Sequence, residues 1–518
     1  MSRHPLRYPD DALVLGTGVR LGYVSCEREV IGLPAQHLMH TWCVGRSGFG
    51  KSRWLCSLIV LLLRHGISFT LIDPAGDLAQ LVLKQLISLG YFDARPAAFS
   101  ELLYLDLPAA LKRNLFLPFN VLNTGHDPYT SADLVLEGWK RAFPALQGGT
   151  ATNIETLLKL TAFVLATHRL SLFPHMFSLI TDTAYRQELL ADIQDEFILQ
   201  FFQRQTNAKT GELTIAADST LKRLFLLAFP PFLRYSLGQQ ANALDFRALL
   251  KQHKSVIINL NVPDLEAMRF WGSLVTVSAE LGSRALGEIP AEQRAIRHLL
   301  IIDEFQNFIG QSGDALRHIL EQCRKYGLFL CLAHQGLSQV ASDLRGALQN
   351  TDLRVVFNLD QLDAEAAAPL LRLPIDPALL KPSPTSSPRY YSRTEQRELH
   401  TQAIMQLAKR EAFIKLPGDL VYRMQSLDVP NVVVDSGLLA EVQAEYFRRY
   451  FRSQANIEAE IAATHPEALS QGFQSHYSVL SNREHHLNAT ITALPAYAKN
   501  NGISEGSSGD DEPELLRD

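Results

Sequence analysis

The sequence predicts an α/β core: a mostly parallel sheet covered on both faces by helices and interrupted by an inserted all-α segment. Three observations carry that expectation. Short apolar runs recur along the chain with helical stretches between most of them. One of these runs feeds a glycine-rich loop that opens a helix. A long stretch between residues 123 and 242 has helical periodicity and no convincing strand.

Composition bounds what such a core can serve. The chain has 518 residues, 47% of them hydrophobic, enough for about three domains with real cores. Lys and Arg total 49 against 54 Asp and Glu, a formal charge of -5. That excludes a uniformly basic nucleic-acid coat and leaves room for a local basic channel. The five cysteines (Cys26, Cys43, Cys56, Cys323, Cys331) include no C-x-x-C pair, so they read as core residues of a reducing compartment and not as a zinc ribbon. The N-terminus lacks the apolar stretch of a secretion signal. The longest apolar run, near "WLCSLIVLLL" (54–63), is well short of the roughly 20 residues a spanning helix needs. The expectation is a cytoplasmic protein with no transmembrane segment of its own, docked peripherally at the inner membrane if at all.

Residues 1–39 form a β-rich lead-in. Within it "GTGVRLG" (16–22) resembles a dinucleotide fingerprint, but its third glycine is misplaced and no helix follows, so it reads as a hairpin turn. The first part of the core spans 40–126. Its strand "HTWCVG" runs into "GRSGFGKS", Gly45, Arg46, Ser47, Gly48, Phe49, Gly50, Lys51 and Ser52, and then into the helical "SRWLCSLIVLLLRHG". Glycines let the backbone curl with its N–H groups inward, at a helix N-terminus where the dipole adds positive potential. Lys51 is placed to bridge the β- and γ-phosphates of a nucleoside triphosphate, and Ser52 to ligate Mg²⁺. The implied small molecules are ATP and Mg²⁺. Strands "SFTLID" (68–73) and "LLYLD" (102–106) follow. Between them Pro74 and Gly76 make a turn after Asp73, and Asp77 is a candidate cap for a helix from Leu78.

The all-α insertion spans 127–240, as a packing or lid segment or as a substrate-recognition module; Lys140, Arg141, Lys222 and Arg223 are its clustered cations. The second part of the core, 241–435, contains "SVIINLN", "HLLIIDEFQNF", "LFLCLAH" and "LRVVFNL". In the second of these, Asp303 and Glu304 stand where a buried parallel strand would emerge at its C-terminal edge. Asp303 suits the Mg²⁺ shell, and Glu304 would orient and deprotonate an attacking water. "PSPTSSP" (382–388) is a loop by composition. A helical extension (436–499) precedes an acidic tail (500–518) expected to be disordered. His485 and His486 lack partners at metal spacing, and "NAT" (488–490) means little without a secretion signal.

"GRSGFGKS", "LIDPAGDLAQ", "LLIIDEFQNF" and "LEQCRKYGLFLCLAHQGLSQV" together resemble the soluble motor of type IV secretion coupling ATPases, within the HerA and FtsK group of DNA-pumping ATPases. The resemblance covers roughly 30–430, including the place of the helical insertion. It implies a RecA-like P-loop core with Walker A and Walker B sites, assembled as a hexameric ring that hydrolyses ATP and translocates DNA during conjugation. It further implies that Arg324 reaches into a neighbouring subunit's site and that Gln335 senses the γ-phosphate. A guanidinium suits charge developing on a transferring phosphoryl, and a strand-end Gln can contact both water and phosphate. From the residues alone, Arg324 also fits a solvated helix end and Gln335 a simple cap. The implied partners are DNA, with Lys140, Arg141, Lys222 and Arg223 as candidate contacts to its backbone, further copies of the chain, and secretion or relaxosome proteins. A HerA-like motor serving a nuclease in repair or phage defence, and a nucleotide-dependent ring scaffold, are the rival readings. His334 stands where Thr is usual and has no role at this level.

Overall fold

Eleven strands of the computed structural model form one sheet in the order β2-β1-β12-β11-β10-β3-β9-β8-β4-β7-β5. Their ranges are β1 Ala12–Arg20, β2 Glu29–Pro34, β3 Thr41–Val44, β4 Ser68–Asp73 and β5 Leu102–Asp106; then, after the two-residue β6 (Leu115–Phe116), β7 Ser255–Asn259, β8 His298–Ile302, β9 Leu328–His334, β10 Leu353–Val356, β11 Glu411–Leu416 and β12 Leu420–Ser426. The residues described are 12–21, 28–34, 39–93, 95–143, 151–206, 227–288, 297–309, 319–382 and 389–464. Two units divide the chain, Met1–Glu460 and Ile461–Asp518. Of the second, only 461–464 are described, the end of a helix that begins at Gln454. Cys26, Lys222, Arg223, His485, His486, the "NAT" string, loop residues 383–388 and the acidic tail lie outside the described residues.

From β10 to β5 every neighbouring pair is parallel. These strands alternate their side chains between two cores, as a sheet buried on both faces requires. Trp42, Val44, Ile72, Leu103, Leu105, Val256, Ile258, Leu300 and Ile302 enter one cluster; Cys43, Phe69, Leu71, Leu102, Tyr104, Ile257, Leu299 and Ile301 enter the other. Helices α1 (Lys51–Arg64) and α2 (Asp77–Ser88) fill the second. In α1 the residues Trp54, Leu55, Leu58, Ile59 and Leu62 recur at helical spacing and are all buried, each stabilising the packing by about 1.5–3 kcal/mol.

The opposite face receives the segment expected to be an insertion. After two short helices, α3 (Ala98–Glu101) and α4 (Leu107–Leu111), come α5 Pro128–Ala142, α6 Ala151–Thr167, α7 His175–Thr181, α8 Thr183–Ala191 and α9 Glu196–Gln205, then Pro231–Leu237. Aspartates start several of them: Asp127, Asp182 and Asp195 accept backbone N–H bonds at the openings of α5, α8 and α9. Their apolar residues share one continuous core with the sheet and with the long helix Leu265–Ala285. Gly138 of α5 lies so close to that helix that a Cβ there would stand 2.5 Å from Leu274. Arg141 is buried and pairs with Glu280 at 2.8 Å, which removes it from the candidate DNA contacts: its charge is consumed in tying α5 to the core.

Two features differ from the sequence expectation. "GTGVR" is not a turn but the second half of β1, hydrogen-bonded to β2 on one side and β12 on the other. Its glycines serve close approach, since a Cβ on Gly16 would lie 2.6 Å from the Gln425 carbonyl and 2.7 Å from Met424 Cγ. The antiparallel pair β11-β12 was also unread. Its signal was the "LPGDL" turn between two apolar runs, and it joins β1 and β2 to β10. The four described cysteines are buried and unpaired. No helix among the described residues is long and apolar enough to cross a membrane.

Candidate active site

The parallel strands deliver their C-terminal ends to one edge, where open α/β sheets bind ligands. β3 ends at Val44, and the chain curls through residues 45–50 into α1. Gly48 (φ 83°) and Gly50 (φ 118°) hold left-handed backbone that L side chains avoid. Backbone bonds fix the loop from both flanks: Gly45 N–H donates to the His334 carbonyl at 3.3 Å and Arg46 N–H to the Asn358 carbonyl at 3.0 Å. The side chains of Arg46 and Ser47 are exposed.

Lys51, the first residue of α1, turns into a buried corner and meets the two acids at the end of β8. Its Nζ lies 2.6 Å from Asp303 Oδ1 and 3.2 Å from Glu304 Oε1. Burial opposes the ammonium charge, but the two carboxylates overcome it and raise the Lys51 pKa above the ordinary lysine value. Glu304 reaches this position through a left-handed backbone (φ 47°), an arrangement that costs a non-glycine residue on the order of 1 kcal/mol or more. Gln306 Nε2 holds its second oxygen at 3.0 Å.

Asp73, at the end of the neighbouring β4, is fully buried and accepts from the amides of Ala75 (3.1 Å) and Ala79 (2.8 Å). Burial pushes its pKa up to about 6, against the opposite pull of the Ala79 amide, with the Asp303 charge adding to the rise. The cap expected from Asp77 is therefore supplied by Asp73. α2 begins one residue early, behind Gly76 in the left-handed region.

Arg324 lies in a 3-10 turn just before β9, two-thirds exposed, with Asp352 at 3.7 Å. A pair so open to water is weak and readily exchanged. Gln335 follows the last residue of β9 and is exposed. The structure thus brings Lys51, Asp303 and Glu304 together, sets Gln335 one residue beyond the strand between β3 and β8, and leaves Arg324 on the surface.

Arg410 went unread in the sequence. Its N–H donates to the Phe49 carbonyl at 2.7 Å, and its Cα stands 3.1 Å from where a Gly50 Cβ would be. Its guanidinium pairs with Asp428 at 2.9 Å. Nearby, Arg53 of α1 bonds the Val429 carbonyl and the Asn431 side chain. The residues flanking the β11-β12 hairpin thereby hold the glycine loop and the start of α1, an arrangement no local spacing could have announced.

No protein-family model matches the sequence, and no curated protein matches it. Solved structures do resemble it. The bacterial conjugative coupling protein TrwBdeltaN70, in its unbound monoclinic form, aligns with TM-score 0.53 at 16% identity, covering 78% of this chain and 89% of that one. Its trigonal form in complex with sulphate aligns at 0.50 and 17% identity, covering 77% and 88%. The plasmid coupling protein TrwB in complex with the non-hydrolysable GTP analogue GDPNP aligns at 0.50 and 16% identity, covering 77% and 87%. With its mostly parallel sheet and glycine loop before α1, the chain has the α/β RecA-like P-loop fold of the conjugative coupling protein.

Proposed function

We propose that this chain is an ATPase that moves DNA through a ring of its own copies, as the soluble motor of a conjugative coupling system. The carrying observation is the buried Lys51–Asp303–Glu304 cluster at the mouth of a left-handed glycine loop and a helix N-terminus. These groups fit a Mg²⁺-nucleotide: the loop presents amides and the helix end to phosphate, and Ser52 and Asp303 would hold Mg²⁺, which supplies charge neutralisation at the phosphates when bound. Lys51 leaves its carboxylates for the β- and γ-phosphates. Glu304, freed from Lys51, orients the attacking water and takes its proton. Gln335 reports the γ-phosphate, and Arg324 of one subunit completes the neighbour's site, so that hydrolysis depends on assembly. Its exposure and weak pairing support that last role. DNA contact by backbone needs few cations per subunit once they repeat around a ring, in keeping with a net charge of -5.

The test is ATP hydrolysis against protein concentration, with and without DNA, for wild type and for Arg324→Ala mixed with Glu304→Gln. The expected result is cooperative, DNA-stimulated activity partly restored in the mixture. Activity independent of concentration and indifferent to DNA returns Arg324 to the surface and leaves the ring-scaffold reading. A HerA-like motor working with a nuclease shares all of this chemistry, and a nuclease that co-purifies with the ring would mark it.

A further inference from the structure

One residue beside the site, through its backbone and its imidazole, touches four neighbouring parts. His334 ends β9 and is fully buried. Its backbone carbonyl accepts the N–H of Gly45, where the glycine loop begins. Its ring Nε2 lies 2.7 Å from Trp42 Nε1 on β3, and its Nδ1 lies 2.9 Å from the Gly336 carbonyl, just beyond Gln335. The edge of Phe305, which follows Glu304, packs at 5.3 Å between ring centroids. An indole N–H can only donate and a carbonyl can only accept, so Nε2 is bare and Nδ1 carries the proton. That tautomer requires a neutral ring, and burial pushes the His334 pKa down to about 3.

The turn after Gln335 is held from its other side as well. Ser338 N–H donates to Asp363 Oδ1 at 2.7 Å, and a Cβ on Gly336 would stand 2.2 Å from Asp363 Oδ2. Gln335 is thus an exposed side chain on a backbone pinned by the imidazole on one side and a buried carboxylate on the other.

We infer that His334 is a positioning residue that locks the Gln335 turn to the strand and loop carrying Lys51, so that the γ-phosphate sensor and the phosphate loop move as one body. This rests on the proposed role of Gln335. An equivalent link could not be made by an apolar residue, because Trp42 and Gly336 would both be left unpaired in the core.

The experiment measures kcat for ATP, and binding of a fluorescent ADP and of a non-hydrolysable ATP analogue, in four full-length variants. His334→Phe keeps the ring and loses both ring hydrogen bonds. Its kcat is expected to fall 10- to 100-fold, with loss of the preference for triphosphate while ADP affinity stays within about twofold. His334→Asn, whose amide can donate to the Gly336 carbonyl, should recover at least tenfold of that loss. Gly336→Ala disturbs the same turn from the Asp363 side and should reproduce the His334→Phe pattern, which keeps the inference testable if the Phe variant fails to fold. Wild-type kcat in His334→Phe or in Gly336→Ala, a parallel loss of ADP affinity, or no recovery in His334→Asn overturns it. Gln335→Ala separates the two claims: if it hydrolyses ATP at the wild-type rate, the role of Gln335 falls, whereas an inactive Gln335→Ala beside a fully active His334→Phe sinks the positioning role alone.

Discussion

Lys51 has two carboxylates to leave before it can serve a phosphate, and the two are not equivalent. Asp303 is closer and more buried than Glu304, so removing the Glu304 charge should loosen Lys51 without dismantling the corner. Glu304→Gln is expected to bind ATP several-fold more tightly than wild type while hydrolysing it about 10²- to 10⁴-fold more slowly, the range for loss of a general base. Equilibrium binding of an ATP analogue alongside single-turnover hydrolysis checks both halves, and weaker binding would show that Glu304 helps to hold the nucleotide instead of competing for Lys51. These three residues were legible in the sequence because each sits on a short local pattern: glycines before a lysine, an apolar run before two acids. Arg410 and the bonds of His334 were not. Arg410 gains its position only when β11 pairs with β10 beside β3, and His334 finds Trp42 across 292 residues of chain.

At the scale of elements, α5 and the helix Leu265–Ala285 carry the junction between the helical face and the core. Arg141 and Glu280 meet there with side chains 9% and 7% exposed, and Arg284 adds a second bond to Glu280 at 2.5 Å. Breaking such a pair strands a buried charge, whereas replacing both partners with apolar groups does not. Glu280→Leu should therefore cost about 3–5 kcal/mol of unfolding free energy, and Arg141→Met with Glu280→Leu should restore most of it. Denaturant melts of the single and double variants decide; additive losses would mean that the two charges do not depend on each other. The same junction shows why the sequence located the helical stretch and not its attachment. Periodicity marks helices and their apolar faces, but Gly138 facing Leu274 and Arg141 facing Glu280 are contacts between distant segments. Likewise, the parallel strands announced themselves as near-continuous apolar runs, while the glycines of β1 disguised its second half as a turn and make sense only against β12.

At the scale of the whole molecule, His40, His298 and His334 are buried histidines that contribute strongly to its response to acid. Burial lowers the pKa of His40 to about 4 and those of His298 and His334 to about 3, against roughly 6.5 when unfolded. Between those limits the unfolded chain binds more protons than the folded one, so stability is fully present above pH 6.5 and is lost as pH falls toward 4 and 3. From pH 6.5 to 5 each histidine should cost about 2 kcal/mol. Asp73 acts the other way: its raised pKa favours the fold at acid and withdraws that contribution as pH rises through about 6. The three histidines together outweigh it across pH 6.5 to 5. The urea midpoint of the wild type should drop over pH 6.5 to 5, and His298→Gln, which can still bond Ser68 or Thr70, should flatten the slope measurably; an unchanged slope would mean that His298 does not titrate on unfolding.

The Lys51–Asp303 pair joins residues 252 apart in the chain, and this bears on how the protein is made. At 5–20 residues per second of synthesis, the lysine is made about 13–50 s before its carboxylate exists. β3 also waits for both of its flanking strands, β9 and β10, which come from the last two-fifths of the chain. A nascent chain therefore carries an apolar strand with both edges unpaired through most of translation. Early termination anywhere before β10 releases a product that cannot close the sheet, and such fragments are natural clients for chaperones and for proteolysis.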